Sequence, residues 1–261
     1  MVAIPHEKSM NLILLFGRFL CYSALMKRLS KGNHRDVWNK EYKTGEHLQL
    51  STEPGEDFLK GIRFIERETG REYLNPMATA LDLGCGNGRH VIYLASVYGM
   101  HGIGYDISEE AIAQARDASL QLPLKYEART IAGDFEKIKD GSVAVVLDLM
   151  TSHFLKAAER EHLRGEILRI LKPGGWLIFK TFLADEDLHT KRLLRNYPAD
   201  EPGAYIHPEF GVYEYVPSEE ALREFYEPFF TIHKLEKSHR HLIKGKAGKR
   251  RTVSVCLQKE Y

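Results

Sequence analysis

The sequence contains little of what marks a secreted, metal-binding or strongly charged protein. Its 261 residues include only three cysteines, Cys21, Cys85 and Cys256, which are far apart and odd in number. They cannot form a disulfide framework, and no C-x-x-C or Cys/His cluster predicts a zinc site. We therefore expect no metal and a reducing, cytoplasmic environment.

Neither sign of charge dominates the chain. Lys and Arg number 37 against 36 Asp and Glu, so the formal net charge is +1. This balance argues against a histone-like coat for nucleic acid and against an acidic solvating tail. With 43% hydrophobic and 28% charged residues, and no repeats or low-complexity stretch, the composition is typical of a folded globular protein.

A long uninterrupted apolar run is also missing. Residues 11–26 are mostly apolar, but they fall short of the ~20 residues a spanning helix needs, and Arg18 interrupts them. Glu7 and the lack of an A-x-A site argue against a signal peptide. We interpret residues 1–33 as an apolar N-terminal extension, either a helix packed on the body or a segment ahead of a second start at Met26. Peripheral membrane contact through residues 11–26 is the less favoured alternative.

From residue 78 onward, strand-like and helix-like segments alternate, which predicts a parallel sheet covered by helices. The longest helical patterns lie at 90–98 and 159–171, and Ser108 is placed to cap a third helix. The last two strands resemble a hairpin at one sheet edge, so we expect a single α/β domain. The predicted strands are 78–83, 102–106, 126–132, 142–148, 176–182, 229–235 and 252–257.

The chemistry begins where the first predicted strand runs into Gly84-Cys85-Gly86-Asn87-Gly88. Three glycines at alternate positions let a ligand approach the backbone and the start of the next helix. Asp106 closes the second strand, where a carboxylate can accept both hydroxyls of a ribose. A purely structural turn is the alternative for the glycines alone, but the turn and the acid together favour a nucleoside site. Arg89 stands where the dinucleotide fingerprint requires its third glycine, which argues against NAD.

The stretch from Asp82 to Gly88, together with Asp106, resembles the S-adenosylmethionine site of the class I methyltransferases. Three further segments match that family in order: 133–135 after the third strand, 145–150 on the fourth, and 171–176 at the turn into the fifth. The resemblance covers roughly residues 35–258. Within the family, GCGNGRH and the W-x-x-x-Y segment from Trp38 to Tyr42 resemble the tellurite-resistance and thiopurine-type small-molecule enzymes.

This resemblance implies a Rossmann-like, doubly wound seven-stranded sheet, mostly parallel with an antiparallel last strand. It implies a domain over residues 34–261 that uses S-adenosyl-L-methionine, with a lid insertion at about 183–217. In the family, the Trp38 segment lies over the methionine end of the cofactor and an acid such as Asp134 lies near the adenine amino group. The cofactor-binding residues that it implies are Trp38, Tyr42, Asp82, Gly84, Cys85, Gly86, Gly88, Arg89, Asp106, Ile107, Asp134, Phe135, Asp148 and Leu149.

Methyl transfer from a sulfonium needs in-line, dry positioning, and a base only if the acceptor must lose a proton early. His153, just past the fourth strand, is the candidate base, and a histidine that only fills the following turn is the alternative. Asp148 is favoured as a satisfied strand-end acid over a base or a substrate anchor. In the insertion, Tyr205 and His207 are expected to contact the acceptor; an aromatic satellite core is the alternative.

The acceptor is expected to be a small molecule, with RNA or protein as the alternative and a non-catalytic cofactor-binding module as a third hypothesis. Residues 237–251 carry seven Lys or Arg and no acid, so they can grip phosphates or form a solvated hairpin. Lys180 resembles a lysine of the RNA ribose methyltransferases, although Asp148 and Thr252 do not match that family's other residues. No N/D-P-P-Y/F/W motif is present, which disfavours DNA. A small-acceptor enzyme should therefore tolerate alanine at Lys246, Lys249, Arg250 and Arg251.

Overall fold

The computed structural model describes residues 34–46, 51–238, 242–243, 246–247 and 250–260. The apolar stretch at 11–26 and much of the basic run at 237–251 lie outside these residues. The helices are α1 (His34–Thr44), α2 (Glu56–Thr69), α3 (Arg89–Tyr98), α4 (Glu109–Ala118), α5 (Ala157–Ile170), α6 (Leu188–Asn196) and α7 (Glu219–Tyr226). The strands are β1 (Thr79–Leu83), β2 (His101–Asp106), β3 (Leu124–Ala128), β4 (Val143–Leu149), β5 (Leu171–Phe182), β6 (Ala204–Ile206), β7 (Tyr213–Tyr215), β8 (Phe230–Lys237), β9 (Leu242–Ile243), β10 (Lys246–Ala247) and β11 (Thr252–Lys259).

Seven of the described strands form one sheet in the order β3-β2-β1-β4-β5-β11-β8. The first five pair in parallel, whereas β11 runs antiparallel to both β5 and β8. The predicted fold class and the edge hairpin are therefore confirmed. From β1 the chain builds outward to β2 on one side and β4 on the other, and this reversal opens a crevice at the carboxyl ends of the strands.

Successive side chains of a strand point to opposite faces of the sheet, and both sets are apolar here, so helices cover both faces. On one face, Ala80 and Val145 pack with residues of α2 and α3 such as Ile62. On the other face, Leu81 and Val146 pack with residues of α5 and α7, forming the larger core. Burial on both faces explains why the central strands read as nearly continuous apolar runs.

The third strand differs from its prediction at 126–132. It occupies Leu124–Ala128, and the chain leaves the sheet after Arg129, whose amide still donates to the carbonyl of Asp106 at 2.7 Å. The Thr130 hydroxyl then accepts the Ala132 amide at 3.1 Å, which turns the backbone. Thr130 and Ile131 are β-branched residues that favour a strand, but here they lie in a turn formed by the Thr130 side chain.

The insertion at 183–217 is folded onto the body. It contains α6 and the β6–β7 hairpin, and Leu193, Tyr205 and Val216 form a small core within it. The buried Asp187 carboxylate caps α6 and also accepts the Arg251 amide at 2.8 Å, which ties the insertion to the start of β11. Among the described residues, no helix is long and apolar enough to cross a membrane.

Candidate functional site

The glycine turn after β1 is held close to two other segments. Gly84, Gly86 and Gly88 have φ angles of 67°, 56° and 79°, a region that favours glycine. A Cβ on Gly84 would collide with the Thr151 hydroxyl, and one on Gly86 would collide with the Tyr42 hydroxyl. Side chains are thus excluded here both by backbone conformation and by space.

Asp106, at the end of β2, accepts two backbone hydrogen bonds. Its Oδ2 accepts the Gly86 amide at 2.9 Å and its Oδ1 accepts the Ser108 amide at 2.8 Å. Burial raises the pKa of this carboxyl despite those donors. Each carboxylate oxygen has a second lone pair, so Asp106 can still accept hydrogen bonds from a ligand in the adjacent cavity.

Helix α1 forms the outer wall of that cavity. The side-chain Oδ1 of Asn39 accepts a hydrogen bond from the Ser108 hydroxyl at 2.8 Å, and the Gln114 side chain donates to the Tyr42 backbone carbonyl at 2.9 Å. These two bonds hold α1 against α4. The Trp38 ring lies 5.1 Å from the Phe154 ring. The cavity between α1 and the strand ends is also lined by Gly84, Asp106, Ile107, Arg129, Thr130, Ile131, Met150 and Thr151.

A second cavity continues from the first, since both share Trp38, Tyr42, Gly84, Met150, Thr151 and Phe154. We call the two together the cleft. Its far end is walled by Phe182, by Arg250, and by three residues of the insertion, His207, Phe210 and Glu214. Met150, at the junction, has a φ of 66°, an unusual conformation for a residue with a side chain, of the kind found at functional sites.

Glu214 and Arg250 form an ion pair at this far end, with 2.6 Å between Arg250 Nη1 and Glu214 Oε2. The Tyr205 hydroxyl donates to the same carboxylate oxygen, and the Arg250 guanidinium lies 3.3 Å from the centre of the Phe182 ring. Burial opposes ionisation of Glu214, but the charge of Arg250 and the hydrogen bonds from Tyr205 and Arg250 together hold the pKa of Glu214 below its usual value. Within the described residues, Arg250 Nε and Nη2 have no hydrogen-bond partner.

His153 lies in the 3-10 turn after β4 and is 3% exposed. Neither ring nitrogen has a hydrogen-bond partner among the described residues, and the ring is 4.0 Å from that of Phe154. Burial lowers the pKa of His153 to about 4. The imidazole is therefore neutral at ordinary pH, with one nitrogen able to donate and the other able to accept.

Comparison with known proteins shows which proteins the chain is similar to. Residues 80–175 match the family described as "Methyltransferase domain". The chain is 28% identical over 148 residues to the glycine/sarcosine/dimethylglycine N-methyltransferase of Actinopolyspora halophila, covering 56% of this chain and 26% of that protein. It is 29% identical over 163 residues to the 2-methyl-6-phytyl-1,4-hydroquinone methyltransferase of Synechocystis, covering 57% and 50%. The chain thus spans half or less of the length of these two curated relatives.

Solved structures share the fold. An S-adenosylmethionine-dependent methyltransferase from Methanosarcina mazei superposes with a TM-score of 0.61 at 24% identity, covering 73% of this chain and 96% of that one. The 1,6-didemethyltoxoflavin-N1-methyltransferase of Burkholderia thailandensis, solved with S-adenosylhomocysteine, gives 0.61 at 16% identity, covering 100% and 92%. Residues 80–175 thus match a methyltransferase domain, and the chain around them has the fold of the S-adenosylmethionine-dependent methyltransferases.

The residues that line the cleft fit S-adenosylmethionine, the cofactor of the structures with this fold. At Gly84 and Gly86 there is no room for a Cβ, so no side chain of the turn itself stands between its backbone and the cleft. Asp106 can accept hydrogen bonds from two ribose hydroxyls. The predicted cofactor residues that line the cleft are Trp38, Tyr42, Gly84, Cys85, Gly86, Arg89, Asp106, Ile107 and Leu149. Gly88 lies behind the turn, where a Cβ would approach the Tyr126 hydroxyl to 2.6 Å.

Besides Gly88, four of the predicted cofactor contacts do not line the cleft. Asp134 is exposed and pairs with His162 at 2.8 Å, and Phe135 is fully buried in the core, because the turn after Arg129 carries both past the cavity. Thr130 and Ile131 line the cavity in their place.

The other two, Asp82 and Asp148, are buried beneath the floor of the cleft. Asp148 Oδ1 accepts the Ser152 amide at 3.0 Å, whereas its Oδ2 has no hydrogen-bond partner among the described residues.

The insertion and the basic run also require corrections. Tyr205 is fully buried behind Glu214, so of the two predicted acceptor contacts only His207 lines the cleft. Arg250 and Arg251 both turn inward, Arg251 to pair with Glu186, so alanine at these positions would not be silent. The sequence does not predict the pairing of Glu214 with Arg250. Nothing in a basic run indicates that one of its last residues contacts an acid 36 positions away.

Lys180, the residue that resembles an RNA methyltransferase lysine, pairs with Asp57 of α2 at 2.6 Å and does not line the cleft. Cys85 does line it, but burial raises the pKa of its thiol well above the usual value, so it is not a nucleophile. In the part of the chain that the structure describes, no group of three or more His, Cys, Asp or Glu side chains is arranged to hold a metal ion.

Proposed function

We propose that this protein transfers a methyl group from S-adenosylmethionine to a small-molecule acceptor, and that residues 34–261 form the catalytic domain. The observation that carries the proposal is the continuity of the cleft. It runs from the glycine turn and Asp106 at one end to a polar and aromatic chamber at the other, walled by His153, Glu214 and Arg250. One end suits the cofactor and the other suits an acceptor.

At the cofactor end, Asp106 would hold the ribose hydroxyls, Ile107 and Ile131 would provide apolar walls, and Trp38 and Tyr42 would cover the site. When bound, S-adenosylmethionine supplies a methyl group already activated by its positively charged sulfur. The protein therefore has no covalent step to perform. Its residues orient the two partners and exclude water.

At the acceptor end, we assign His153 to receiving a hydrogen bond or a proton from the acceptor. Its low pKa keeps the imidazole neutral, so an accepting nitrogen is available at ordinary pH, although it is a weak base. The Glu214–Arg250 pair is ionised, and two guanidinium donors of Arg250 have no partner among the described residues. Arg250 would orient a methyl acceptor that carries a carboxylate or another oxygen able to accept hydrogen bonds.

A small acceptor is favoured because the insertion encloses this end with His207 and Phe210. Two of the relatives are named for small methyl acceptors of their own, glycine and a phytyl hydroquinone. The inward orientation of Arg250 and Arg251 leaves fewer charges of the basic run for RNA. Cys85 and Cys256, both free thiols, support a reducing cytoplasmic location.

The test is a screen of small metabolites and RNA for transfer of labelled methyl from S-adenosylmethionine. Once an acceptor is found, Arg250→Ala and His207→Ala should lower its turnover at least tenfold, while S-adenosylhomocysteine affinity stays within about twofold. Lys237→Ala, which removes only a pair with Glu219, is the matched control and should be silent. Methylation confined to RNA, steeply salt-dependent and lost with Lys246→Ala and Lys249→Ala, would contradict the proposal.

A further inference from the structure

A third cavity lies on the α5–α7 side of the sheet, behind His153. It is separate from the cofactor end of the cleft, with which it shares none of its lining residues. Its walls include Leu163 and Ile167 of α5, Phe179 and Thr181 of β5, and Leu222 of α7, and the 3-10 turn and the insertion complete them. We call it the inner pocket.

One residue, His153, lines both the inner pocket and the acceptor end of the cleft. The buried imidazole therefore lies at the boundary where the two spaces meet. Because both of its nitrogens are without partners among the described residues, the ring can form hydrogen bonds with a molecule that occupies either side.

The inner pocket contains a second polar group with nothing to bond. Thr181 is 1% exposed, and its hydroxyl has no hydrogen-bond partner among the described residues. Strand alternation places Thr181 on the face of Phe179, and its register partner Val253 belongs to the core on that same face. The hydroxyl thus belongs to the α5–α7 layer, where an unmade hydrogen bond is costly unless a ligand supplies it.

The charged groups at the inner pocket are already engaged. Arg160 pairs with Glu201 and lies over the Tyr215 ring. Arg164 donates to the Phe225 carbonyl at 2.7 Å and lies 4.2 Å from the centres of the Phe225 and Phe229 rings. What remains for a ligand is an apolar surface with a hydroxyl and an imidazole, which suits a neutral molecule.

We propose that the inner pocket binds the neutral aryl or branched-alkyl part of the methyl acceptor, together with a hydroxyl group that bonds to Thr181 or His153. This inference rests on the proposed function, and it adds the chemical class of the substrate. His153 then contacts the acceptor from the inner pocket while the atom to be methylated lies in the cleft. The cofactor and this part of the acceptor occupy different spaces and bind together.

The probe is 1-naphthol, a neutral aryl group with one hydroxyl, titrated into the full chain by its own fluorescence with and without saturating S-adenosylhomocysteine. We expect saturable binding that S-adenosylhomocysteine does not displace. In Arg250→Ala, which lacks the guanidinium that could bind a carboxylate in the cleft, we expect weaker binding of anionic 1-naphthoate than of 1-naphthol. If S-adenosylhomocysteine displaces 1-naphthol, or if 1-naphthoate binds that variant more tightly than 1-naphthol does, the inference is wrong. If S-adenosylhomocysteine itself does not bind, the proposed function fails, which is a distinguishable outcome.

Two variants locate the probe. Ala221→Phe adds a ring to the wall of the inner pocket and should weaken 1-naphthol binding at least tenfold, whereas Glu224→Phe adds the same ring on the exposed side of α7 and should not. Thr181→Val keeps the shape of the side chain and removes the hydroxyl. It should weaken 1-naphthol several-fold and leave naphthalene unchanged, and an equal effect on both ligands would overturn the assignment of the hydroxyl. Circular dichroism of each variant checks that it is folded.

Discussion

Asp106 is the single residue on which cofactor binding should depend most. Its carboxylate is already aligned by the Gly86 and Ser108 amides, so no reorganisation is needed when a ligand arrives. We predict that Asp106→Ala weakens S-adenosylhomocysteine binding by about 1–3 kcal/mol, the range for loss of a charged hydrogen-bond partner. Isothermal titration calorimetry measures this directly.

Asp134→Ala is the matched control, because the structure places Asp134 at the surface with His162. Its affinity for S-adenosylhomocysteine should equal that of the unmodified protein. If Asp134→Ala weakens binding as much as Asp106→Ala does, the family expectation for the acid after β3 is right and the placement described above is wrong.

Asp148 should make stability depend on pH. Burial raises its pKa from 3.8 to about 6, so the folded protein holds this proton to a higher pH than the unfolded chain does. The free energy of unfolding therefore falls as pH rises from about 4 to about 6. Asp148→Asn cannot ionise and so removes this pH dependence. The variant should become more stable than the unmodified protein as pH rises from about 4 to about 6, and its free energy of unfolding should be roughly 1–3 kcal/mol higher at pH 7. Urea titrations at several pH values test this, and a gain that is constant with pH would contradict it.

Individual site residues were predictable from sequence only where backbone geometry dictates them. Gly84 and Gly86 are required by positive φ and close contacts, and Asp106 by its place at a strand end, so a local pattern reveals them. Glu214 and Arg250 are adjacent only because the insertion folds back onto the start of β11. Such long-range pairs leave no periodic or spacing signal in a single sequence.

At the scale of elements, Asp187 determines how the insertion is attached. Its carboxylate accepts four hydrogen bonds: from the His189 and Thr190 amides, the Thr190 hydroxyl and the Arg251 amide. We predict that Asp187→Ala lowers the free energy of unfolding by about 2–4 kcal/mol, because a helix cap and a buried charged acceptor are lost together. Urea denaturation followed by tryptophan fluorescence measures the loss.

For this prediction Asp200 is the control, since it also lies in the insertion but pairs with Lys156 at the surface. Asp200→Ala should change stability little, as is usual for exposed ion pairs. Equal losses in the two variants would mean that the insertion is not held by its buried cap.

Among the elements, the central strands and helices followed from pattern because both faces of the sheet are buried. The third strand was displaced because a hydroxyl turn at Thr130 resembles a β-branched strand in composition. The insertion was recognised by its length, but its internal hairpin was not, since β6 and β7 are three residues each and too short to show alternation. Short elements are defined by the surface they pack on.

For the whole molecule, the two faces of the sheet border different ligand spaces, the cofactor end of the cleft and the inner pocket. Cys85 of the glycine turn packs with residues of α3 and α4, and α1 is fastened to α4. The inner pocket belongs to the face covered by α5 and α7. The 3-10 turn after β4 carries His153 to the boundary between them. The crevice at the strand-order reversal thus lets one short segment contact both ligand spaces.

A shortened chain can show whether the residues before Met26 are needed for folding and cofactor binding. All the cofactor-binding residues predicted from the sequence lie at position 38 or later, so a chain that begins at Met26 should keep its far-UV circular dichroism and bind S-adenosylhomocysteine within about twofold of the full chain. Vesicles of anionic lipid provide the second measurement. If the full chain sediments with them and the shortened chain does not, residues 11–26 are an interfacial helix. If the shortened chain is insoluble or loses the ligand, those residues belong to the folded body and their interpretation as a separable extension is wrong.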